Sequence, residues 1–266
     1  MRNLPNKKSK MKIVILGSGN VASTLAQAFR SYGHTIAQVY SRNKANANAL
    51  ASLLASSSTD KLEQVVTDAD IYCICVSDQA ISSVVAALPE ISQGIVVHCS
   101  GATSITVLHR FEHHGVLYPL QSISKAVTKD LTSIPFVVEG NNATTTTQLL
   151  NLILPLAPKA FQGDSAQRLA LHVAAVFANN FTNLLFQISQ NILEEHQLPF
   201  DLLRPIILET AQKVQTCLPE AVQTGPAKRG DMQTIETHLN FLSESPHWIK
   251  IYQQLTEEIL RRRDSE

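Results

Sequence analysis

The feature that most constrains the fold is a glycine-rich turn set between an apolar run and a helical pattern. The apolar run is Ile13–Leu16, and the turn, Gly17–Ala22, has the spacing G-x-G-x-x-A. Beyond the turn, apolar residues recur at helical spacing, and Gly33 stands where that helix would end. A second strand is predicted over residues 35–40. The order strand, glycine turn, helix, strand is the context in which this motif is typical of dinucleotide-binding folds.

Each small residue of the turn has a physical reason to be small. Gly17 permits a tight turn out of the strand, Gly19 lets a pyrophosphate approach the backbone, and Ala22 lets the helix pack closely on the sheet. The helix N-terminus offers free N–H groups and a partial positive charge to the phosphates. We therefore predict a dinucleotide site formed by Gly17, Ser18, Gly19, Asn20 and Val21. The alternative is a tight turn of an α/β protein that binds no nucleotide.

The end of the second strand indicates which dinucleotide is bound. NAD-binding proteins usually place Asp or Glu there to accept the ribose 2′-hydroxyl hydrogen, but this chain has no carboxylate at that point. It has Ser41, Arg42 and Lys44 instead, and a hydroxyl, a guanidinium and an ammonium group all suit a phosphate. The sequence therefore predicts NADP(H) rather than NAD(H). The alternative is a solvated basic turn.

Composition argues against several classes of function. The chain has 22 basic and 22 acidic residues, whereas a nucleic-acid-binding protein would carry a basic excess. No membrane span is predicted, because the most apolar stretch, residues 169–186, contains a histidine and three asparagines and is expected to be a buried helix. Residues 1–10 are polar and basic and are expected to form a disordered tail. The four cysteines lack zinc or disulfide spacing, so a cytoplasmic protein is predicted.

Strand-like runs alternate with helical patterns up to about residue 158. This alternation predicts an α/β fold, a Rossmann-type doubly wound parallel sheet over residues 11–158. Ligands of such sheets bind beyond the carboxyl ends of the strands. Two further predicted strands, over residues 71–76 and 95–98, end in residues that we expect beside a cofactor, namely Val76, Ser77, Asp78 and Ser100. Residues 56–59 are expected to be a break between elements.

From residue 159 the sequence pattern becomes helical. Asp164 and Gln167 have the spacing of a capping box, and a long helix is predicted from there to Glu195. Ser245 and Pro246 predict the start of a last helix with one apolar face. The sequence therefore predicts an all-helical domain over residues 159–266 that binds substrate and forms a dimer.

Three polar residues of the helical part are candidates for substrate chemistry. His172 and Asn179 lie seven residues apart, which is two turns along one helix face, and they could offer an acid and an amide to a substrate carbonyl. Arg229, in a loop rich in glycine, could hold a substrate carboxylate. The alternatives are a core histidine with satisfied hydrogen bonds and an Arg–Asp pair that ties helices together. Tyr118 could also be an acid, although a buried phenol bonded to the backbone is more common.

Several motifs occur in one order along the chain: Gly17–Ala22, His98–Ala102, Tyr118–Gln121, His172 with Asn179 and Asn180, and Gly225–Pro226 with Arg229–Asp231. In this combination the chain resembles bacterial NADP oxidoreductase-like proteins that join a Rossmann-like domain to a helical domain of uncharacterised function. These are similar in plan to pyrroline-5-carboxylate reductases and β-hydroxyacid dehydrogenases. The resemblance extends from residue 11 to about residue 260 and implies an NADP-binding domain followed by a helical domain that makes a homodimer.

The chain departs from its relatives at two positions. β-Hydroxyacid dehydrogenases carry a catalytic Lys on the first long helix after the nucleotide domain, whereas here that helix has no Lys and His172 is the nearest ionisable candidate. The family usually has His before Pro119, where this chain has Tyr118.

Taken together, these features predict an NADP(H)-dependent oxidoreductase that transfers a hydride to or from a small carbonyl, imine or hydroxy-acid metabolite. His172, Asn179 and Arg229 are the predicted catalytic residues, and no metal, nucleic acid or membrane is expected as a partner. The alternative function is a sensor or partner-binding protein that binds NADP(H) without consuming it.

Overall fold

The computed structural model describes residues 10–123 and 130–264. The described part of the chain has eight strands, which are β1 (Lys12–Leu16), β2 (Thr35–Tyr40), β3 (Ser57–Thr59), β4 (Ile71–Ile74), β5 (Ile95–His98), β6 (His114–Pro119), β7 (Phe136–Gly140) and β8 (Phe161–Gln162). Its α-helices are α1 (Asn20–Ser31), α2 (Lys44–Leu54), α3 (Asp78–Ala87), α4 (Ala143–Ile153), α5 (Ser165–Ala175), α6 (Thr182–Glu195), α7 (Arg204–Lys213), α8 (Pro226–Arg229), α9 (Met232–Phe241) and α10 (Pro246–Arg263). The predicted disordered tail falls almost wholly outside the described residues.

The eight strands form one sheet in the order β3-β2-β1-β4-β5-β6-β7-β8. All neighbouring pairs are parallel except β6 and β7, which are antiparallel. The chain builds outward from β1 in one direction to β3 and then returns to build from β4 in the other, so the direction reverses between β1 and β4. The predicted doubly wound sheet is thus confirmed, and the glycine turn after β1 lies at the reversal, where ligands of such sheets bind.

Both faces of the sheet are buried, which explains why β1 is a continuous apolar run rather than an alternating one. Ile13 and Ile15 pack into a cluster with α1, α2 and α4, while Val14 and Leu16 pack into a second cluster with α3. Successive side chains of a strand point to opposite faces, so each face of the sheet receives two apolar side chains from this one strand. These contacts set the position of the turn that follows Leu16.

The strand β3 stands where a break between elements was expected, so that prediction is wrong. Ser57–Thr59 pairs in parallel with β2, and the Ser57 hydroxyl donates a hydrogen bond to the Ala37 carbonyl oxygen. The segment holds its place through backbone pairing at the sheet edge and carries no apolar alternation, so hydrophobic periodicity could not reveal it.

Contacts divide the chain into two compact units, the first ending at Ala178 and the second beginning at Asn179. The division lies within one continuous helical stretch, Ser165–Glu195, which follows the last strand, β8. The helix α5 belongs to the first unit because its early residues contact the strand ends. In the second unit, α8 packs on α10, with the Arg263 guanidinium beside Gly230, and His238 Nδ1 lies 2.8 Å from the Tyr252 hydroxyl.

The long helical stretch differs from its prediction in two ways. Residues 169–186, expected to be a buried helix, contain no residue buried within this chain, because apolar side chains such as Val173 and Leu184 stay about half exposed. The stretch is the one helix in the described residues that is long and apolar enough to cross a membrane, judged by length and composition alone. Val176–Phe181 is a π-helix, so the α-helical spacing that predicted a common face for His172 and Asn179 does not hold between them.

Candidate active site

The glycine turn after β1 has the geometry that a pyrophosphate needs. Gly17 has φ +136°, and a β-carbon there would stand 2.4 Å from the Cys75 carbonyl oxygen, so a side chain is excluded on both counts. A β-carbon on Gly19 would meet no protein atom within 4 Å, which leaves open space in front of its backbone. The two glycines therefore have different roles: Gly17 lets the turn pack against the end of β4, and Gly19 leaves room for a ligand.

The start of α1 keeps its backbone donors available. Gly19 is the N-cap and supplies no side-chain hydrogen bond, so first-turn N–H groups, including those of Asn20 and Val21, can bind an anion. The Asn20 side-chain amide is already engaged, donating to the Ile123 carbonyl oxygen at 2.7 Å. Asn20 can therefore serve a phosphate through its backbone while its side chain holds the segment that follows β6.

The residues predicted to bind the 2′-phosphate, Ser41, Arg42 and Lys44, follow β2 and lie next to Ser18 of the glycine turn. The hydroxyls of Ser18 and Ser41 lie 2.8 Å apart, and Ser41 is buried. Arg42 and Lys44 are exposed and make no ion pair within the described residues, and Lys44 opens α2 behind its N-cap Asn43. Two hydroxyls, two free cations and a helix N-terminus provide a phosphate with donors and positive charge, so these residues fit NADP(H).

The ends of β4 and β5 carry the remaining predicted cofactor residues. Val76 is half-buried, Ser77 is the exposed N-cap of α3, and Asp78 is exposed in the first turn of that helix. The Ser100 hydroxyl oxygen accepts the backbone N–H groups of Ala102 and Thr103, so this hydroxyl first of all closes the turn after β5.

A tyrosine and a histidine meet at the same edge of the sheet. The Tyr118 hydroxyl, near the end of β6, lies 3.0 Å from His172 Nδ1 on α5, and the two rings meet edge to face at 79°. Tyr118 was expected to bond to the backbone, so that expectation is wrong, because the hydroxyl bonds to a side chain. Gly101 lies directly against the pair, where a β-carbon would stand 2.7 Å from the His172 ring and 2.8 Å from Tyr118 Cζ.

A buried arginine holds this arrangement together. Arg168 is 1% exposed, and its guanidinium donates to the carbonyl oxygens of Ser100, Gly101 and Thr103. It also forms an ion pair with Glu139 at 3.1 Å and donates to the Ser165 hydroxyl at 3.0 Å. Because Arg168 lies one helical turn before His172, it fixes α5 against the turn that contains Gly101.

The positive charge of Arg168 also affects the pKa values of two neighbouring side chains, His98 and Tyr118. Burial and the nearby Arg168 guanidinium lower the pKa of His98 to about 4, so this buried imidazole is neutral at pH 7. Burial raises the pKa of Tyr118; the Arg168 guanidinium opposes this shift, and the Asp78 carboxylate adds to it. The Tyr118 phenol therefore keeps its proton at neutral pH. The described residues contain no cluster of three or more His, Cys, Asp or Glu side chains that could hold a metal.

Comparisons with known proteins show which family the chain belongs to. Residues 12–101 match the family described as "NADP oxidoreductase coenzyme F420-dependent", and residues 134–259 match "Domain of unknown function (DUF2520)". The crystal structure of putative NADP oxidoreductase BF3122 from Bacteroides fragilis is 34% identical, covers 95% of this chain and 98% of its own, and superposes with a TM-score of 0.85. The chain belongs to this NADP oxidoreductase family. The comparison with curated proteins finds no match.

More distant structures share the fold of this NADP oxidoreductase family member. A 1-pyrroline-5-carboxylate reductase from Streptococcus pyogenes is 13% identical, with a TM-score of 0.64, over 97% of this chain and 99% of its own. An imine reductase from Myxococcus stipitatus, solved in complex with NADP+, is 15% identical, with a TM-score of 0.63, over 96% of this chain and 93% of its own. At 13% and 15% identity, the similarity to these two proteins is one of fold alone.

Two of the three predicted catalytic residues of the family member lie in its second unit. Asn179 is exposed in the π-helical segment, and Arg229 is exposed at the end of α8. Gly225 has φ +108° and Gly230 has φ +70°, and the Asp231 side chain caps α9, so Arg229 lies in a well-defined turn. The meeting of Asn179 and Arg229 with His172 stays a prediction.

Sequence reasoning missed the role of Arg168 and misjudged Tyr118. A signal for Arg168 was present, since a lone arginine precedes the apolar residues of α5 and lies four positions before His172. Its partners are carbonyl groups and a carboxylate contributed by β5, β7 and their connections, and no spacing along the chain indicates those contacts.

Proposed function

We propose that the protein is an NADPH-dependent reductase of a small carbonyl or imine metabolite, able to act in the reverse direction on a hydroxy acid or amine. One observation carries the proposal: the Tyr118–His172 pair and the open glycine turn lie at the same edge of one sheet, beyond the carboxyl ends of β6 and β1. A phosphate-binding turn and a proton-donating pair at one edge are what a hydride-transfer site requires.

Several of this chain's residues would bind the cofactor. The N–H groups at the start of α1 bind the pyrophosphate together with Ser18, and Ser41, Arg42 and Lys44 bind the 2′-phosphate. Val76, Ser77 and Asp78 lie at the neighbouring strand end and suit the nicotinamide ribose. When bound, the nicotinamide supplies or accepts the hydride.

The chain's own contribution to the chemistry is proton delivery and substrate orientation. His172 donates a proton to the oxygen or nitrogen of the substrate that gains negative charge. Asn179 and Arg229 serve the substrate, the amide through hydrogen bonding and the guanidinium through a carboxylate. Support for His172 comes from the helix on which it lies. β-Hydroxyacid dehydrogenases, which the chain resembles, carry a catalytic lysine on the corresponding helix; this chain has no lysine there, and His172 is the nearest ionisable candidate.

The first experiment measures NADPH and NADH binding to the purified protein, the Arg42→Ala variant and a control, Arg204→Ala. Arg204 is also an exposed arginine but pairs with Asp201 in the second unit. We expect the unchanged protein to bind NADPH more tightly than NADH. Arg42→Ala should lose this preference, and Arg204→Ala should keep it. If neither nucleotide binds, the proposal is wrong. Equal affinity of Arg42→Ala and the unchanged protein for NADPH would remove Arg42 from the site.

The second experiment tests turnover with a panel of small carbonyl compounds and imines. His172→Ala should lower the turnover rate by about 100-fold or more, because general acid catalysis contributes about that much, while NADPH affinity stays the same. NADPH binding without consumption across the panel would instead support the alternative function, a non-catalytic sensor.

Two further proposals concern the partner and the location of the protein. The exposed apolar side chains of α5 and α6, such as Leu184 at 49%, suit burial against a second copy of this chain. Leu184→Glu should shift a dimer to a monomer in light scattering, whereas Leu53→Glu, at a 69% exposed leucine of α2, should not.

The four free thiols support a cytoplasmic location. Recovery of the protein with membranes after cell fractionation would contradict both proposals.

A further inference from the structure

We propose that Tyr118 is a positioning residue that donates its hydroxyl hydrogen to His172 Nδ1, so that His172 carries its own hydrogen on Nε2 and relays a proton from Tyr118 to the substrate. The inference deepens the proposed function and rests on it for the identity of the reaction. The hydrogen-bond arrangement itself is a property of the protein without ligands and can be tested separately.

The geometry leaves the phenol one partner. Tyr118 is 8% exposed, and its hydroxyl lies 3.0 Å from His172 Nδ1, which is its single hydrogen-bond partner in the described part of the chain. If Nδ1 carried the hydrogen, the phenol would have to direct its own hydrogen elsewhere, and none of its described neighbours accepts it. A buried hydroxyl without an acceptor is costly, so donation from the phenol to Nδ1 is the favoured arrangement.

The surroundings keep the phenol protonated and therefore able to donate. Burial raises the pKa of Tyr118, the Asp78 carboxylate raises it further, and the Arg168 guanidinium lowers it by less than burial raises it. A neutral imidazole that accepts a hydrogen bond at Nδ1 must carry its hydrogen on Nε2. His172 is half-buried, in contrast to the enclosed Tyr118, so the imidazole is the more accessible member of the pair.

The ring of His172 is held in place from below. Gly101 touches both rings, and its carbonyl oxygen accepts from Arg168, which lies one turn earlier on the helix that carries His172. The turn, the helix and the two rings therefore form one packed group. Rotation of the imidazole away from Tyr118 would break the 3.0 Å hydrogen bond and open a gap over Gly101.

The relay balances in protons and charge. The His172 Nε2–H bond breaks as a new bond forms between that hydrogen and the negatively charged oxygen or nitrogen of the reduced substrate. At the same time the Tyr118 O–H bond breaks and an Nδ1–H bond forms. His172 gains one hydrogen as it loses the other, and Tyr118 becomes a phenolate. After the product leaves, Nε2, on the more accessible ring, takes a proton from solvent, and the Nδ1 hydrogen returns to the phenolate oxygen. The step avoids an imidazolate, and a phenol is a far stronger acid than the alcohol formed.

The test measures the tautomer of His172 by nitrogen NMR of protein labelled with 15N-histidine, without substrate or cofactor. His172→Gln assigns the signal. We expect the Nε2–H tautomer in the unchanged protein and a mixture of tautomers in Tyr118→Phe, which keeps the ring against Gly101 and removes the hydroxyl. Tyr72→Phe is the matched control, because the buried Tyr72 hydroxyl bonds to the Ala69 N–H and not to a histidine.

Turnover provides the second readout. With a substrate from the carbonyl and imine panel, Tyr118→Phe should lower kcat about 10-fold or more and leave the KM for NADPH unchanged, whereas Tyr72→Phe should leave both unchanged. An Nδ1–H tautomer in the unchanged protein, or an unaltered tautomer in Tyr118→Phe, overturns the proposal. Failure of the whole panel would count against the proposed reductase function but leave the NMR result intact, so the two failures are distinguishable.

Discussion

Replacing the buried Arg168 with methionine should lower the free energy of unfolding by about 3–5 kcal/mol, the cost of breaking a buried ion pair by removing one partner. The guanidinium makes five hydrogen bonds, three to backbone carbonyl oxygens of the turn after β5, one to Glu139 and one to the Ser165 hydroxyl. Methionine fills part of the volume but donates to none of them. The Glu139 carboxylate, 13% exposed, is then left with the Ser165 hydroxyl as its donor.

Urea unfolding followed by circular dichroism measures the loss, and two variants sharpen it. Arg204→Met removes an exposed ion pair with Asp201, and the loss of such a pair usually lowers the free energy of unfolding by about 0–1 kcal/mol. The double variant Arg168→Met with Glu139→Gln should lose about 1–3 kcal/mol less than the sum of the two single variants, because it leaves no unpaired charge. A loss for Arg168→Met no larger than for Arg204→Met would refute the reasoning, since the guanidinium would then hold nothing together.

Two more predictions follow from the same region. Gly101→Ala should destabilise the free protein by about 1–3 kcal/mol, because its β-carbon would overlap His172 and Tyr118. Gly19→Ala faces open space, so it should leave the stability of the free protein unchanged and weaken NADPH binding. Thermal unfolding with and without NADPH checks both variants, and an equal effect of the two would contradict these different roles of the glycines. His98 is held neutral by burial, so its folded-state pKa of about 4 lies below its ordinary value of 6.5, and its contribution to stability is complete above pH 6.5 and lost as the pH falls towards 4. The loss is about 3 kcal/mol. Urea unfolding across this pH range should show that the free energy of unfolding falls less steeply in His98→Asn, which keeps an acceptor for the Ser100 N–H, than in the unchanged protein. Identical pH dependence of the unchanged protein and His98→Asn would contradict this prediction.

Much of the first unit was predictable because its signals are local. The run Ile13–Leu16, the glycine turn and the strand over residues 35–40 lie within one short stretch, and the structure confirms each of them. The capping box of Asp164 and Gln167 is confirmed in both of its hydrogen bonds, because it too involves residues three positions apart. Backbone geometry and capping act between neighbours in sequence, so the sequence displays them directly.

The long helix shows where such signals mislead. Apolar composition suggested burial of residues 169–186, but none of these residues is buried within this chain. Regular helical spacing suggested a common face for His172 and Asn179, but a π-helix intervenes at Val176–Phe181. Composition measures how apolar a segment is, and neither the surface that covers it nor a change in helical pitch is encoded in that measure.

The sequence by itself determined the class of fold, the position of the nucleotide turn and the absence of a carboxylate after β2. These depend on residue type and short spacing, through glycine conformations, strand alternation and helix N-termini. Only the tertiary structure decided that Tyr118 faces His172, that Gly101 lies beneath both, and that Arg168 joins β5, β7 and α5. The hydrogen bonds among these residues connect positions 29 to 68 apart in sequence, and packing of the sheet against α5 brings their atoms within hydrogen-bonding distance.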